Sequence, residues 1–209
     1  MTFDVEQVKK WIITFNDKIQ ENKEYLTELD QAIGDGDHGL NMARGFQETV
    51  KKITEGKYDD LGSLFKDVGM TLIAKVGGAS GPLYGTAFMK ASLALKGKKE
   101  VDIKALVEAL AASLDGLKVR GKAQVGDKTM IDVWEPVIEY MKNRETIHSK
   151  ELTDLSKEKM DVTKELEAKK GRAAYLGKRS IGHIDPGAAS SYLLFASLAE
   201  LFEEGEVAQ

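Results

Sequence analysis

Three aspartates fall within the short segment Asp30-Gln31-Ala32-Ile33-Gly34-Asp35-Gly36-Asp37-His38-Gly39. The glycines let the backbone turn sharply, so the carboxylates of Asp35 and Asp37 can converge with that of Asp30. Like charges held together repel and raise one another's pKa. A fold tolerates them when a cation sits among them. An all-oxygen donor set in a chain without cysteine suits a hard ion, magnesium or calcium. Two other readings of these letters fail. Gly34 to Gly39 spells a dinucleotide-loop pattern, but that pattern needs a preceding strand, and Tyr25–Ile33 has helical spacing. Asp35-Gly36-Asp37 opens like an EF-hand loop, but its twelfth position, which should be Glu, is Phe46. The plainer alternative is an Asp-Gly turn capping a helix that begins near Leu40. One Asp-Gly would satisfy that; three aspartates and His38 exceed it.

Three further glycine-rich loops carry polar residues. In Val76-Gly77-Gly78-Ala79-Ser80-Gly81-Pro82-Leu83-Tyr84-Gly85, small residues let backbone N–H groups approach an anion ahead of a helix N-terminus, and Ser80 can donate to a phosphate oxygen. The Gly-Lys-Ser/Thr ending of a Walker loop is missing, so a metal has to supply the positive charge. Close helix packing through small residues is the competing reading. Gly121-Lys122-Ala123-Gln124-Val125-Gly126-Asp127-Lys128-Thr129-Met130 ends in a methionine that suits either a purine ring or the core. The stretch from Gly171 to Gly187 holds Arg172 and Arg179, whose guanidinium forks match phosphate. It closes with Asp185-Pro186-Gly187, where Pro186 fits the first position of a helix. Four such loops describe one end of a helical barrel. The residues alone lead to a magnesium–nucleotide or magnesium–phosphate site.

The elements that position these loops are helical. Val5, Val8, Trp11, Ile12, Phe15 and Ile19 recur at three and four, as one helix face requires. Tyr25, Leu26, Leu29 and Ile33 make a second face, Leu40, Ala43, Phe46, Val50 and Ile53 a third, and Leu61, Leu64, Val68 and Leu72 a fourth. Further helices are expected over 83–96, over the face Ile103 to Leu114, from Met130 to about Asn143, and within 149–170, with or without a break. The last, from about Ala188 to Phe202, is apolar on most sides and should be central. No strand alternation is evident. The expectation is an all-α barrel or bundle of eight antiparallel helices in one domain spanning 1–209, with the site in the loops at one end.

Composition excludes several classes. A net charge of −4 is poor for wrapping nucleic acid or an anionic membrane. No apolar run approaches the ~20 residues of a membrane span. The start, Met1-Thr2-Phe3-Asp4-Val5-Glu6, lacks the basic and apolar regions of a secretory signal. A cytoplasmic protein is expected. The charged run from Lys142 to Lys170 reads as a solvated helix face.

Taken in order, Asp30, Gly34 to Met42, Gly77 to Gly85, Gly126 to Met130, Gly171-Arg172-Ala173 and Gly182 to Gly187 resemble the nucleotide-binding L subunits of phosphoenolpyruvate-dependent dihydroxyacetone kinases. The resemblance spans nearly the whole chain. It implies a barrel of eight antiparallel helices with tightly bound ADP/ATP and magnesium, two ions, at one end. It assigns Asp30, Asp35 and Asp37 to the metal. It assigns His38, Gly39, Leu40, Asn41, Ala79, Ser80, Gly121, Met130, Arg172, Asp185, Pro186 and Gly187 to the nucleotide. It implies that a phosphohistidine on an M subunit phosphorylates the bound ADP, and that the phosphoryl group passes to dihydroxyacetone on a K subunit, giving dihydroxyacetone phosphate. No catalytic base is expected in this chain, because the acceptor base belongs to the K subunit. A transcriptional regulator is a further partner the resemblance allows. The rivals are a kinase that exchanges ATP from solution, the nucleotide domain of a fatty-acid kinase, and a nucleotide-loaded regulatory module.

Overall fold

The computed structural model describes residues 1–207. Its regular structure is almost all helical: α1 (Val5–Glu21), α2 (Lys23–Ile33), α3 (His38–Glu55), α4 (Leu61–Lys75), α5 (Ser80–Ala94), α6 (Ile103–Gly121), α7 (Ile131–Lys142), α8 (Ser149–Val162) and α9 (Pro186–Val207). Short 3-10 turns at Thr163–Glu165 and Arg172–Ser180 occupy the connection before α9, the second kinked at Gly177. The face read from the first helix is observed, with Val8, Trp11, Ile12, Phe15 and Ile19 buried. Its start is fixed by a reciprocal cap. The Asp4 carboxylate accepts the Gln7 amide at 2.9 Å, and the Gln7 side chain accepts the Asp4 amide at 3.0 Å. Asp60 and Asp102 cap α4 and α6, accepting from the amides of Ser63 and Ala105.

The helices pack into a closed ring. α1 lies against α3, followed by α4, α5, α6, α7, α8 and α9, and α9 returns to α1. These eight form the barrel, and α2 is additional, packed on α3 and α9. The interior is filled rather than open. Phe15 meets Phe46 edge-on at 4.6 Å between ring centroids, and Trp134 meets Phe195 at 5.1 Å. Full burial of such side chains contributes about 1.5–3 kcal/mol each. α9 is buried on most sides from Ala188 to Phe202, as its sequence leads one to expect.

Three features depart from the sequence reading. Tyr25 is grouped with Leu26, Leu29 and Ile33 but is exposed. The spacing groups Leu40 with Ala43 and Phe46, yet Leu40 is 54% exposed. Helix α3 starts at His38, and its inward stripe runs through His38, Met42, Phe46, Thr49 and Ile53, leaving Leu40 outside. There is also a two-stranded antiparallel ladder, β1 (Thr2–Asp4) with β2 (Glu100–Asp102), which sets Phe3 opposite Val101. Three residues are too few to register as an alternation.

Residues of the connections 34–37, 76–79, 122–130 and 163–185 line one cavity, so these four connections gather at one end of the ring. At the other end the Leu61 amide donates to the Lys98 carbonyl at 2.8 Å, joining two of the remaining connections. No described helix is long and apolar enough to cross a membrane.

Candidate functional site

Asp30, in the last turn of α2, organises the first loop. It is buried, and its Oδ2 accepts the amides of Asp37 at 2.8 Å and His38 at 3.0 Å. Asp37 occupies the cap position of α3, but its carboxylate makes no capping bond. Asp37 therefore does not cap the helix itself; Asp30 serves those amides instead. One oxygen from each of Asp30, Asp35 and Asp37 lies within 4.8 Å of the others. Burial pushes the Asp30 carboxyl above its ordinary range. The two amides oppose the shift, and the charges of Asp35 and Asp37 add to it. A hard divalent cation at this point would relieve that penalty. Three carboxylate oxygens also leave coordination positions for phosphate oxygens and water, which is how magnesium is usually held. Arg172 Nε donates to Asp35 Oδ2 at 2.8 Å, an exposed pair that bridges the fourth loop to the first.

The cavity has a volume of about 670 Å³. The N-terminus of α5 borders the same cavity, with Gly77, Gly78, Ala79 and Ser80 on the wall. Amides in a first helical turn have no intrahelical acceptor, so this end favours an anion. The packing reading of this loop also holds. A Cβ on Gly81 would lie 2.2 Å from the Val76 carbonyl oxygen, and one on Gly85 2.3 Å from Ile73 Cγ1 on α4. Leu83, Leu117, Met130 and Ile131 give the cavity an apolar side fit for a planar ring.

His38, Ala79, Ser80, Gly121, Met130, Arg172, Asp185, Pro186 and Gly187 all line this cavity, together with Asp30, Asp35 and Asp37. Gly39, Leu40 and Asn41 are not on its wall. Gly39 faces α2, where a Cβ would lie 2.0 Å from the Lys23 carbonyl oxygen. Leu40 faces outward. Asn41 is buried behind Gly77, and its Oδ1 accepts from Arg44 at 2.9 Å. His38 is enclosed, and burial pulls its pKa down to about 4, so the ring is neutral near pH 7. Both its nitrogens are engaged by hydroxyls, Ser80 at 2.9 Å and Ser190 at 3.0 Å. His183 is exposed and off the wall.

Sequence reasoning missed Lys128 and Asp132. Lys128 is 1% exposed, with φ of 61° in the left-handed region. Its Nζ donates to the Thr163 carbonyl at 2.5 Å and to the His183 carbonyl, fastening the third loop to the fourth. A lysine in a polar loop carries no signal of this. Asp132 accepts the Gly126 amide at 2.6 Å and the Thr129 amide at 2.7 Å, one on each oxygen. An acid in the first turn of α7, reaching back to the loop before it, was a readable sign.

Asp185 caps α9 by accepting the Ala188 amide at 2.8 Å. Burial pushes its pKa up to about 7 against the effect of that hydrogen bond; the charge of Asp132 raises it further and that of Lys128 lowers it. A raised carboxylate pKa contributes stability that is complete below the unfolded value and is lost as pH climbs through the folded one. For Asp185 the loss runs from about pH 4 to about pH 7. Asn keeps the cap without the charge. In nucleotide-free protein with chelator, Asp185→Asn should melt higher than wild type above pH 7 and show a flatter stability profile below it. Parallel profiles in thermal melts would contradict this.

Comparison with known proteins gives the following. The DAK2 domain model matches residues 32–200. A Listeria innocua protein, PEP-dependent dihydroxyacetone kinase 1, ADP-binding subunit DhaL, is 50% identical over 201 residues, covering 96% of this chain and 98% of that one. The Escherichia coli PEP-dependent dihydroxyacetone kinase, ADP-binding subunit DhaL, is 40% identical over 205 residues, covering 95% and 98%. Among solved structures, the dihydroxyacetone kinase from C. freundii in complex with AMP-PNP and Mg2+ superposes with a TM-score of 0.75 at 26% identity. The match covers 92% of this chain but only 33% of that longer one.

Proposed function

The chain belongs to the DAK2 domain family, and from that premise we propose that it is the ADP-binding subunit of a phosphoenolpyruvate-dependent dihydroxyacetone kinase. It holds ADP or ATP with magnesium as a bound carrier. It accepts a phosphoryl group from a phosphohistidine on an M subunit and passes it to dihydroxyacetone on a K subunit, in the cytoplasm. Residues 1–209 act as one nucleotide-binding unit. The observation that carries this reading is the convergence of three carboxylates and the α5 N-terminus on one cavity.

The residues divide the task as phosphoryl transfer requires, by positioning and charge neutralisation rather than covalent chemistry. Asp30, Asp35 and Asp37 would hold the magnesium. When bound, the metal supplies charge neutralisation and alignment of the phosphate oxygens. Ala79 and Ser80 present the start of α5 to the phosphates. Met130 and Gly121 bound the apolar side that takes the purine. Arg172 reaches the phosphates from the fourth loop, and Asp185-Pro186-Gly187 closes the wall beside Met130. Gly39 and Asn41 act from behind, by seating α3 against α2 and bracing Gly77. His38 is neutral with both nitrogens occupied, so it does not serve as base for the sugar hydroxyl. That base belongs to the K subunit.

Reconstitution tests the reading. With K and M subunits, the general phosphotransfer proteins, phosphoenolpyruvate and dihydroxyacetone, dihydroxyacetone phosphate should form only when this chain is present. Omitting the M subunit and supplying ATP in bulk should give no comparable turnover. Full turnover under that second condition would favour a kinase that exchanges its nucleotide.

A further inference from the structure

A chain of buried hydroxyls leads from the barrel core to the cavity. It begins at the indole of Trp134 on α7, which donates to Ser191 Oγ at 3.0 Å. Ser191 Oγ lies 3.2 Å from the Tyr84 hydroxyl, which lies 2.8 Å from Ser190 Oγ. Ser190 Oγ lies 3.0 Å from His38 Nε2, and His38 Nδ1 lies 2.9 Å from Ser80 Oγ. Trp134, Ser191, Tyr84 and Ser190 are each at most 1% exposed, so no bulk water competes along the chain. Ser80, at the far end, lines the cavity, as do His38 and one side of Tyr84.

An indole N–H can only donate, whereas each hydroxyl can donate once and also accept. The fixed donor permits one continuous direction. Ser191 receives from Trp134 and keeps its own proton, which it can give to Tyr84, and Tyr84 can in turn give its proton to Ser190. Ser190 then faces two acceptors, His38 Nε2 at 3.0 Å and the Gly187 carbonyl at 3.2 Å. The other end of the imidazole decides between them. If Nδ1 carries the ring proton, Ser80 accepts it and keeps its own hydroxyl proton for an anion. If Nδ1 is bare, Ser80 uses its proton on the ring and turns only lone pairs toward a phosphate.

We propose that the Trp134–Ser191–Tyr84–Ser190 chain fixes His38 as the Nδ1–H tautomer and so makes Ser80 a hydrogen-bond donor to the bound phosphate. The proposal rests on the nucleotide reading above, because it needs an anion at Ser80. Tyr84, Ser190 and Ser191 are then positioning residues that act through His38, and neither they nor the ring change charge. The Pro186 carbonyl beside the ring also competes for its proton.

The test uses full-length protein labelled with 15N-histidine and loaded with ADP and magnesium near neutral pH. Long-range proton–nitrogen correlation reads the tautomer, and His148→Gln and His183→Gln variants assign the remaining signal to His38. The expected result is a proton on Nδ1. Tyr84→Phe, and independently Ser191→Ala, should bring in the Nε2–H form and weaken ADP binding about three- to tenfold, the size of one buried hydrogen bond. In a Ser80→Ala background Tyr84→Phe should weaken ADP no further, which a general loss of packing would not reproduce. An Nε2–H ring in the ADP-bound wild type overturns the proposal alone. So does an undiminished effect of Tyr84→Phe without Ser80. A wild-type protein that binds no ADP overturns the functional reading, and this proposal with it.

Discussion

Replacing Asp37 with asparagine is expected to abolish phosphoryl transfer while leaving the helical fold intact. Of the three acids, Asp37 isolates charge from structure most cleanly. Asp30 also accepts two backbone amides, so its loss would loosen the first loop. Asp35 is paired with Arg172, so its loss would also free that guanidinium. The Asp37 carboxylate makes no hydrogen bond within the described residues, although one of its oxygens is within 4.8 Å of the other two acids. Asparagine keeps the shape and removes the charge that holds a hard cation. Losing a preorganised charge that faces the transferring group costs about 10²–10³-fold in rate or more. The assay is dihydroxyacetone phosphate formation in the reconstituted system, with circular dichroism as the control for folding. Undiminished transfer by Asp37→Asn would refute the metal assignment.

The second large effect is expected at Lys128, and it is one of stability. Methionine preserves the apolar stem but removes an ammonium that serves the Thr163 and His183 carbonyls. Burial lowers the Lys128 pKa, while the charges of Asp185, Asp132 and Glu165 raise it. Removing the ammonium therefore relieves a desolvation penalty, but it also strands two carbonyls and leaves those acids without their cation. Hydrogen bonds to charged groups contribute ~1.5–3 kcal/mol each, so the net loss should be about 2–4 kcal/mol. For a chain of this size that lowers the melting temperature by roughly 5–15 °C. Nucleotide affinity should fall as well, because the segment carrying Arg172 and Asp185 is fastened through these two carbonyls. Amide exchange at Asp185 and Gly182 should quicken. An unchanged melting temperature in calorimetry would show that the third and fourth loops are held some other way.

The readable parts of this molecule were those whose residue types are costly anywhere else. Three acids in one turn demand a cation, and Pro186 demands a helix start, which α9 supplies at that residue. The recurring apolar faces gave the helices of the ring. Reading stopped where neighbours in sequence part company in space. His38 to Asn41 are consecutive, but each step along a helix turns about 100°, so His38 faces the cavity while Leu40 faces outward. It stopped again where partners come from distant helices. His38 meets Ser80 across 42 positions and Ser190 across 152, and no local pattern encodes such a meeting. Lys128 was hidden for a related reason: its role depends on carbonyls, which every residue has.

The central claim is that Asp30, Asp35 and Asp37 clamp a divalent cation onto a nucleotide diphosphate. The most direct measurement is the nucleotide content of purified protein after gel filtration, once in magnesium and once in chelator, read by denaturing the protein and analysing what it releases. ADP is expected close to one per chain in magnesium and almost none in chelator. Empty protein under both conditions, or ADP retained equally without the metal, would contradict it.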